Sequence, residues 1–421
     1  MLLRRILVTA ALFGLLTAPT ATAATPAQTQ RALAREMARA GTSSGAYVLD
    51  LGSGTQVYAR KPDVARMPAS VNKLYTTAGT LLRYGPGGEL TTSVLAAGAP
   101  DASGTVTGDL VLRGGGDPTF GSTGAAALAR QVKLAGVKRV TGRVVGDESA
   151  FDVLRGVPAS GFKLSGDVGP LSALAFNHGR TGLRAPYFQA SPARFAADAF
   201  AKALKRQGVQ IKHTARAGLA AVTMTPLTEL SSPPVSTIVR QMNQPSDNFI
   251  AETLIKGLGA QFGATGSTAA GAGVIRAALE PFGIAPTIAD GSGLSRTNRT
   301  TPRQVVELLE HMDASDVASA FDASLPVAGR NGTLAYRLRG TAAQDRCHAK
   351  TGTLHDVSAL AGYCTTTVGR RVAFAFLMNR INPGTARVLQ DRMTAALARY
   401  ASSSSRRAAS SSTATPSRSA F

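Results

Sequence analysis

The pattern of apolar and polar positions in the N-terminal part of the chain predicts two helices separated by a hairpin. Residues 27–40 have the mixed polarity of a surface helix. Two β-like runs, Ala46–Leu51 and Gln56–Arg60, flank the turn Gly52-Ser53-Gly54, which is typical of a hairpin. A second helical stretch is then predicted from Ser70 to about Leu82.

Between residues 88 and 235 the pattern changes to short β-like runs that are separated by glycine-rich turns. The runs are Thr91–Ala96, Asp109–Arg113, Val140–Val145 and Val209–His213. One clear helix is predicted here, over Pro192–Arg206. The sequence therefore predicts a β-rich insert with a core of its own.

The rest of the chain predicts a series of helices followed by three strands and a closing helix. Helical stretches are predicted at Val235–Met242, after Pro245, at Ala269–Phe282 and from Pro302 onward. The strands are Cys347–Thr351, Ser358–Thr365 and Arg371–Met378, and the closing helix is Gly384–Tyr400.

Both ends of the chain have the composition of segments outside the folded core. Arg4 and Arg5 precede the apolar run Ile6–Leu16, and small residues follow up to Ala23. This order is typical of a secretory signal peptide over residues 1–23, with an uncleaved anchor as the alternative. We therefore expect an exported protein that works in the cell wall, in the periplasmic space or after secretion. Residues 401–421 are rich in serine, arginine and alanine and are predicted to be disordered.

The charge of the chain points to anionic partners. It has 46 Lys and Arg against 25 Asp and Glu, a formal net charge of +21. The basic residues are scattered, tryptophan is absent and aromatic residues make up only 5%, so nucleic acid is not expected as a partner. Anionic wall polymer or a membrane surface remain possible partners outside the cell. The cysteines and histidines lack the spacing of metal ligands, so we expect neither a metal nor a cofactor.

The first candidate for chemistry is Ser70-Val71-Asn72-Lys73. A spacing of three residues places Ser70 and Lys73 on the same face of a helix. A serine hydroxyl becomes a good nucleophile when a neighbouring group takes its proton, and a lysine can do so when its pKa is lowered by burial. This motif therefore predicts a serine nucleophile with a lysine base.

Two further motifs follow in the chain. Ser246-Asp247-Asn248 comes after Pro245 and is also an ordinary helix cap when taken alone. Lys350-Thr351-Gly352-Thr353 lies at the end of a predicted strand, where the glycine permits a close approach of backbone and the lysine offers a positive charge. Each motif alone is weak evidence for a catalytic site. The three motifs in the order S-x-x-K, S-D-N, K-T-G are specific to penicillin-binding proteins and class A β-lactamases.

Additional stretches resemble the D-alanyl-D-alanine carboxypeptidase/endopeptidase family, the class C low-molecular-mass penicillin-binding proteins. They are residues 108–118, 290–296, 325–329 and 349–354. The resemblance covers nearly all of the chain after residue 23, except the C-terminal tail. It implies the α+β fold of the penicillin-recognising serine hydrolases, with an antiparallel sheet flanked by helices. Residues 24–87 and 236–400 would form this catalytic domain, and residues 88–235 would be inserted into it.

The resemblance also implies the activity and the roles of the motif residues. The chain resembles serine-type D-Ala-D-Ala carboxypeptidases and DD-endopeptidases, which act on peptidoglycan stem peptides and are inhibited by β-lactams. The implied catalytic residues are Ser70, Lys73, Ser246, Asn248 and Lys350. The resemblance implies that Thr351, Gly352 and Thr353 bind the substrate. It also implies that the backbone N–H groups of Ser70 and Thr353 form an oxyanion hole.

Two other functions share these motifs. A β-lactamase is disfavoured because the segment between Ser70 and Ser246 is far longer than a minimal β-lactamase core needs. No Glu-x-x-Leu-Asn pattern follows the second motif to activate a deacylating water. A non-hydrolytic protein that binds the wall or senses β-lactams is disfavoured because all three motifs are intact. The motifs do not discriminate a carboxypeptidase from a crosslink endopeptidase.

The two cysteines are predicted to form a disulfide. If the last strands form an antiparallel pair centred near His355 and Asp356, Cys347 and Cys364 lie opposite each other. An exported protein folds in an oxidising compartment, which favours the bridge. Two free buried thiols are the alternative.

Overall fold

The computed structural model describes residues 23–182 and 187–402. The predicted signal peptide and C-terminal tail lie outside the described residues, apart from Ala23, Ala401 and Ser402. Within the described part of the chain, no helix is both long enough and apolar enough to cross a membrane.

The central element is a five-stranded antiparallel sheet with the strand order β11-β12-β13-β1-β2. Its strands are β1 (Ser44–Asp50), β2 (Thr55–Arg60), β11 (Cys347–Leu354), β12 (Val357–Thr365) and β13 (Arg371–Asn379). Strand β1 is buried along its whole length, and its side chains alternate between two cores. Ala46 and Val48 face one core, and Tyr47 and Leu49 face the other. The sheet is therefore covered on both faces.

Helices from both ends of the chain cover the two faces of this sheet. Helices α1 (Pro26–Arg39) and α10 (Pro383–Leu397) pack together on one face. The other face is covered by α2 (Lys73–Tyr84), α5 (Val235–Asn243), α6 (Asn248–Phe262), α7 (Thr268–Leu279), α8 (Pro302–Asp313) and α9 (Ala318–Ser324). Helix α9 was not predicted, and the predicted helix Ala269–Phe282 ends in a short 3₁₀ turn, Glu280–Phe282. Helices therefore flank the antiparallel sheet on both sides, as expected.

The segment between α2 and α5 has a hydrophobic core of its own. Its strands are β3 (Thr91–Ala96), β4 (Thr105–Val106), β5 (Leu110–Gly114), β6 (Arg139–Val140), β7 (Val144–Asp147), β8 (Gln210–Ile211), β9 (Arg216–Ala217) and β10 (Thr225–Ser231). They form two sheets, with the orders β10-β3-β5-β7-β9 and β4-β6-β8. Helices α3 (Ser122–Leu134) and α4 (Pro192–Arg206) pack against each other in the same core. Helix α4 has its predicted bounds, whereas α3 was not predicted.

One predicted strand of this segment, Val140–Val145, is wrong. The structure divides it into β6 and β7, which belong to different sheets. The break is at Gly142, where a Cβ atom would lie 2.5 Å from the Gly108 carbonyl oxygen and closer still to the Asp109 carboxylate. The chain crosses from one sheet to the other at this close contact, which an apolar pattern does not reveal.

A disulfide joins Cys347 of β11 to Cys364 of β12. The two residues are directly paired in the antiparallel register, and both are fully buried. The predicted register and the predicted pairing are therefore present in the structure. The bridge closes the far end of the hairpin that carries Lys350 and Thr353.

We predict that replacing both cysteines by alanine lowers the free energy of unfolding by about 3 kcal/mol, because a disulfide that closes a loop of this length restricts the unfolded chain by that amount. Chemical denaturation should show an earlier unfolding transition for the Cys347→Ala/Cys364→Ala variant. The control is the same measurement with a reductant, which should shift the wild type and leave the variant unchanged. A reductant-insensitive wild type would contradict the prediction.

Candidate active site

Ser70 lies in a 3₁₀ turn, Ala69–Asn72, that precedes α2. The sequence predicted it in the first turn of an α-helix, so this detail is corrected. Ala69 has a positive φ of 48°, and the loop residue Gly293 packs against its carbonyl so closely that a Cβ on Gly293 would overlap it. The Ser70 side chain on this turn is partly exposed.

Lys73 is completely buried, and its Nζ atom lies 3.0 Å from Ser70 Oγ. Nζ also donates to Asn248 Oδ1 at 2.7 Å and to the Ser292 carbonyl at 2.8 Å. Three acceptors match the three hydrogens of an ammonium group. Burial lowers the pKa of Lys73 to about 8, although nearby carboxylates oppose this shift. The lysine can therefore give up a proton near neutral pH and then accept one from Ser70.

Two buried carboxyl groups, Glu252 and Asp290, lie behind Lys73. Glu252 Oε1 accepts a hydrogen bond from the Ser292 N–H at 2.8 Å, while Oε2 is buried with no hydrogen-bond partner among the described residues. Burial, and then the charge of Asp290, raise the pKa of Glu252 to about 8. The carboxyl group of Asp290 accepts from the backbone N–H groups of Gly293 and Ser295.

The sequence reasoning assigned no role to either group. Asp290 begins a turn-dense stretch that was noted for its resemblance only, and Glu252 lies four residues beyond Asn248 on α6. That spacing places Glu252 one helical turn from a motif residue, which is a signal that could have identified it.

Ser246 and Lys350 form the second half of the site. Lys350 Nζ donates to Ser246 Oγ at 2.8 Å and to the Thr351 carbonyl at 2.9 Å. Lys350 is completely buried, and burial together with the charge of Lys73 lowers its pKa well below the usual value. Ser246 has a positive φ of 65°, and Asp247 then caps α6 through the Ile250 N–H. The backbone conformation thus turns the Ser246 hydroxyl toward Lys350.

Asn248 connects Lys73 to the inserted segment. Its Oδ1 atom accepts from Lys73, and its Nδ2 atom donates to the Asp167 carbonyl at 3.1 Å. Because Asp167 belongs to the segment between α2 and α5, that segment borders the site. The Asp167 residue is exposed.

Strand β11 forms one wall of the cleft beside Ser70. Gly352 approaches the 3₁₀ turn so closely that a Cβ atom would lie 2.7 Å from the Pro68 carbonyl and 3.0 Å from the Ser70 nitrogen. Thr351 Oγ1 donates to Thr333 Oγ1 at 2.8 Å. The absence of a side chain at Gly352 therefore brings the strand alongside the candidate nucleophile.

The cleft has a volume of about 450 Å³. Its lining includes Ser70, Ser246, Thr351 and Thr353, as well as three residues that the sequence did not single out: Thr333, Arg337 and Arg387. Arg387 Nη2 lies 3.4 Å from Thr353 Oγ1. The cleft thus presents a hydroxyl nucleophile, hydroxyl donors and cationic groups, a combination suited to a peptide with a carboxylate. Among the described residues, no group of three His, Cys, Asp or Glu side chains could hold a metal ion.

A sequence model of the D-Ala-D-Ala carboxypeptidase 3 (S13) family matches residues 27–185 and 187–400. The D-alanyl-D-alanine carboxypeptidase of Actinomadura sp. (strain R39) is 30% identical over 454 residues, which covers 88% of this chain and 84% of the relative. Carboxypeptidase DacB of Mycolicibacterium smegmatis is 33% identical over 408 residues, or 88% of this chain and 85% of the relative.

Among solved structures, penicillin-binding protein 4 of Haemophilus influenzae superposes with a TM-score of 0.73 at 20% identity, over 86% of this chain and 97% of the other. The same protein has been solved in complex with a β-lactam. This likeness confirms the predicted fold class.

We predict that Gly352→Ala lowers the free energy of unfolding by about 1–3 kcal/mol, because the added methyl group forces β11 away from the turn that carries Ser70. Thermal or chemical unfolding measures this loss. Gly87→Ala is the matched control, since a Cβ there meets nothing within 4 Å, and its stability should stay close to that of the wild type. Equal stability of both variants would contradict the close approach.

Proposed function

The chain belongs to the D-Ala-D-Ala carboxypeptidase 3 (S13) family, and we propose that it cleaves peptidoglycan stem peptides through an acyl-enzyme on Ser70 and is inhibited by β-lactams. The observation that carries this proposal is the contact of 3.0 Å between Ser70 Oγ and Nζ of a fully buried lysine. Burial supplies the low pKa that a lysine base needs.

In the acylation step, Ser70 Oγ attacks the carbonyl carbon of the penultimate D-alanine, and Lys73 Nζ takes the hydroxyl proton. The new C–O bond forms as the carbonyl π electrons move onto oxygen. The backbone N–H groups of Ser70 and Thr353 stabilise this oxyanion. Donors of this kind are worth about 3–4 kcal/mol each in the transition state. The approach of Gly352 to the Ser70 nitrogen supports this arrangement.

When the tetrahedral intermediate collapses, the C–N bond breaks and the leaving amine needs a proton. Ser246 and Lys350 supply it as a relay, in which the Ser246 hydroxyl donates and Lys350 replaces the proton. The contact of 2.8 Å between Lys350 Nζ and Ser246 Oγ, and the lowered pKa of Lys350, support this role. Asn248 orients the substrate amide at the same edge. Water then attacks the ester carbonyl and gives a proton to Lys350, and the ester C–O bond breaks as Lys73 returns its proton to Ser70 Oγ.

The terminal carboxylate of the substrate lies against β11. Thr351 and Thr353 donate hydroxyl hydrogen bonds to it, Lys350 supplies positive charge, and Gly352 lets the substrate backbone approach the strand. The position of Arg387, close to Thr353, adds a second cation at this end of the cleft. A carboxylate is thus bound by hydroxyl groups, by the permanent charge of Arg387 and by Lys350 when Lys350 is protonated.

We propose that the enzyme has carboxypeptidase activity and also endopeptidase activity on crosslinks. In both reactions the leaving residue has a D-configured centre with a carboxylate that occupies the same position against β11. The two leaving groups differ in their side chains. The contact between Asn248 and the Asp167 carbonyl brings the inserted segment to this cleft. Asp167 is exposed beside this contact, and we propose that its carboxylate receives the free amine of a substrate side chain. The family acts on peptidoglycan, so we propose that the protein is exported to reach it.

We predict that benzylpenicillin forms one covalent adduct with the wild type and none with Ser70→Ala. The strained lactam amide is attacked in place of the D-Ala-D-Ala amide, and the adduct is seen by intact-mass analysis. Lys73→Ala should lower the acylation rate by at least about a hundredfold, the size typical of losing a general base.

Ser53→Ala is the matched control for Ser70→Ala, because Ser53 is exposed in the turn between β1 and β2 and does not line the cleft. It should be acylated at the wild-type rate. An adduct on Ser70→Ala would exclude Ser70 as the nucleophile.

We predict that the acylation rate constant rises as the pH increases and levels off above about pH 8. The rate constant rises with pH because Lys73 acts as a base only in its neutral form, and the pKa of Lys73 is about 8. Glu252 ionises near the same pH as Lys73, and its negative charge then raises the pKa of Lys73. Replacing Glu252 by glutamine removes that charge, so the rising limb should move to lower pH.

The measurement is the pH dependence of benzylpenicillin acylation for the wild type and for Glu252→Gln. Glu229→Gln, at an exposed position of β10, is the matched control and should leave the profile unchanged. A profile of Glu252→Gln identical to the wild type would show that Glu252 does not act on the base.

A further inference from the structure

A second concave site, which we call the anion pocket, lies at one end of the central sheet and has a volume of about 460 Å³. Its lining includes four cations, Lys61, Arg66, Arg299 and Arg380, and no acidic residue. None of its lining residues lines the cleft of Ser70. The pocket is therefore a separate cationic site.

The topology of the sheet brings these cations together. Strand β1 is antiparallel to both β2 and β13, so the start of β1 lies between the ends of its two neighbours. Lys61 directly follows β2, and Arg380 directly follows β13. Both have a positive φ, 45° and 54°, which costs an L-residue free energy. Two cations in this strained conformation thus border the same pocket.

Arg66 is the buried member of the anion pocket, with only 4% of its surface exposed. Its guanidinium donates only to backbone carbonyls: to Ser43 at 3.0 Å, Ser44 at 3.1 Å, Lys61 at 3.0 Å and Val64 at 2.6 Å. Gly45 makes room for it, because a Cβ there would lie 2.5 Å from Nη1. Its hydrogen bonds are satisfied, but its charge has no carboxylate partner among the described residues.

The other three cations also lack an ion pair within the described part of the chain. Lys61 Nζ donates to the Thr42 carbonyl at 2.7 Å, and Arg299 donates to backbone carbonyls. Arg380 has neither a hydrogen bond nor an ion pair to any described side chain.

The acidic residues on neighbouring segments are already paired. Asp63 binds Arg303 at 2.6 Å, and Asp356 binds Arg296 at 2.8 Å. Only Arg66 is buried, and its charge is the costly one, whereas Lys61, Arg299 and Arg380 are exposed. Four cations that border one cavity without a carboxylate partner among the described residues make it a site of positive potential that suits an anion.

We propose that the anion pocket binds a phosphate ester of a soluble polyol, either as a small molecule or as a repeat of a phosphodiester polymer. Phosphate matches arginine through bidentate hydrogen bonds, and its charge suits several cations at once. The volume is in the range of sites for small organic ligands. A bilayer surface is a poor fit because Arg66 is buried in a concave site.

The anion pocket is connected to the catalytic turn by a short path. Asn379 lines the pocket, and its side-chain amide exchanges two hydrogen bonds of 3.0 Å with the backbone of Met67. Met67 lies three residues before Ser70. A polymer bound here would hold the enzyme on its wall substrate without entering the cleft. This role rests on the proposed function, whereas binding of a phosphate ester in the pocket does not.

The test measures binding of glycerol 3-phosphate, of poly(glycerol phosphate) and of phosphatidylglycerol/phosphatidylcholine vesicles to the full chain by calorimetry and sedimentation. The pocket variant is Lys61→Asn/Arg380→Asn, because asparagine tolerates the left-handed conformation of both positions. Lys205→Asn/Lys212→Asn, at exposed positions of the inserted segment, removes the same charge as a control.

We expect both phosphate esters to bind the wild type, with affinity about tenfold weaker in the pocket variant and within twofold of the wild type in the control variant. Binding of the polymer alone assigns a polymeric source, and similar affinity for both esters assigns a small polyol phosphate. Equal weakening in both variants, no weakening, or binding to vesicles alone would overturn the proposal. Unchanged benzylpenicillin acylation of the pocket variant shows that it is folded and keeps this test separate from that of the proposed reaction.

Discussion

Two lysine side chains, Lys73 and Lys350, are completely buried in one cleft, and the cost of removing both ammonium groups from water is the constraint on which the site depends. Each finds hydrogen-bond acceptors, yet the charge of Lys73 also disfavours charge on Lys350. The buried carboxyl groups of Glu252 and Asp290 offset part of this cost for Lys73. Burial and these charges together place its pKa where proton transfer is possible near neutral pH.

The fold offsets this cost by surrounding the lysines with hydrogen-bond acceptors and carboxyl groups from distant segments. Glycine residues and a helix terminus let these segments come into contact. Gly352 lets β11 lie against the turn of Ser70, and Gly293 lets the loop of Asp290 lie against the same turn. Asn248 then joins the base to the inserted segment. A second link between α6 and that segment is the buried Lys256, which pairs with Asp152 at 2.6 Å. The position of the insert and the geometry of the base are thus set by one helix.

Much of this arrangement could be predicted from the sequence because it is encoded locally. The symmetric hairpin centred near His355 and Asp356 determines the pairing of its two cysteines, and the three motifs mark the residues that meet in the cleft. What could not be predicted depends on contacts between distant segments. The 3₁₀ turn of Ser70 packs against Gly293, and Glu252 binds the backbone of Ser292, forty residues further along the chain. No helical pattern reveals these contacts. Family resemblance supplied roles for the motif residues but not for this acid.

Burial has opposite consequences in the cleft and in the anion pocket because the cations differ. A buried lysine loses its proton readily, and Lys73 can therefore serve as a base. Arg66 is buried almost as deeply, and burial also lowers its pKa, but a guanidinium starts so high that it keeps its charge. The same desolvation thus produces a group that exchanges protons beside Ser70 and a permanent positive charge at the end of the sheet. The choice between lysine and arginine separates a catalytic site from a site that can only bind.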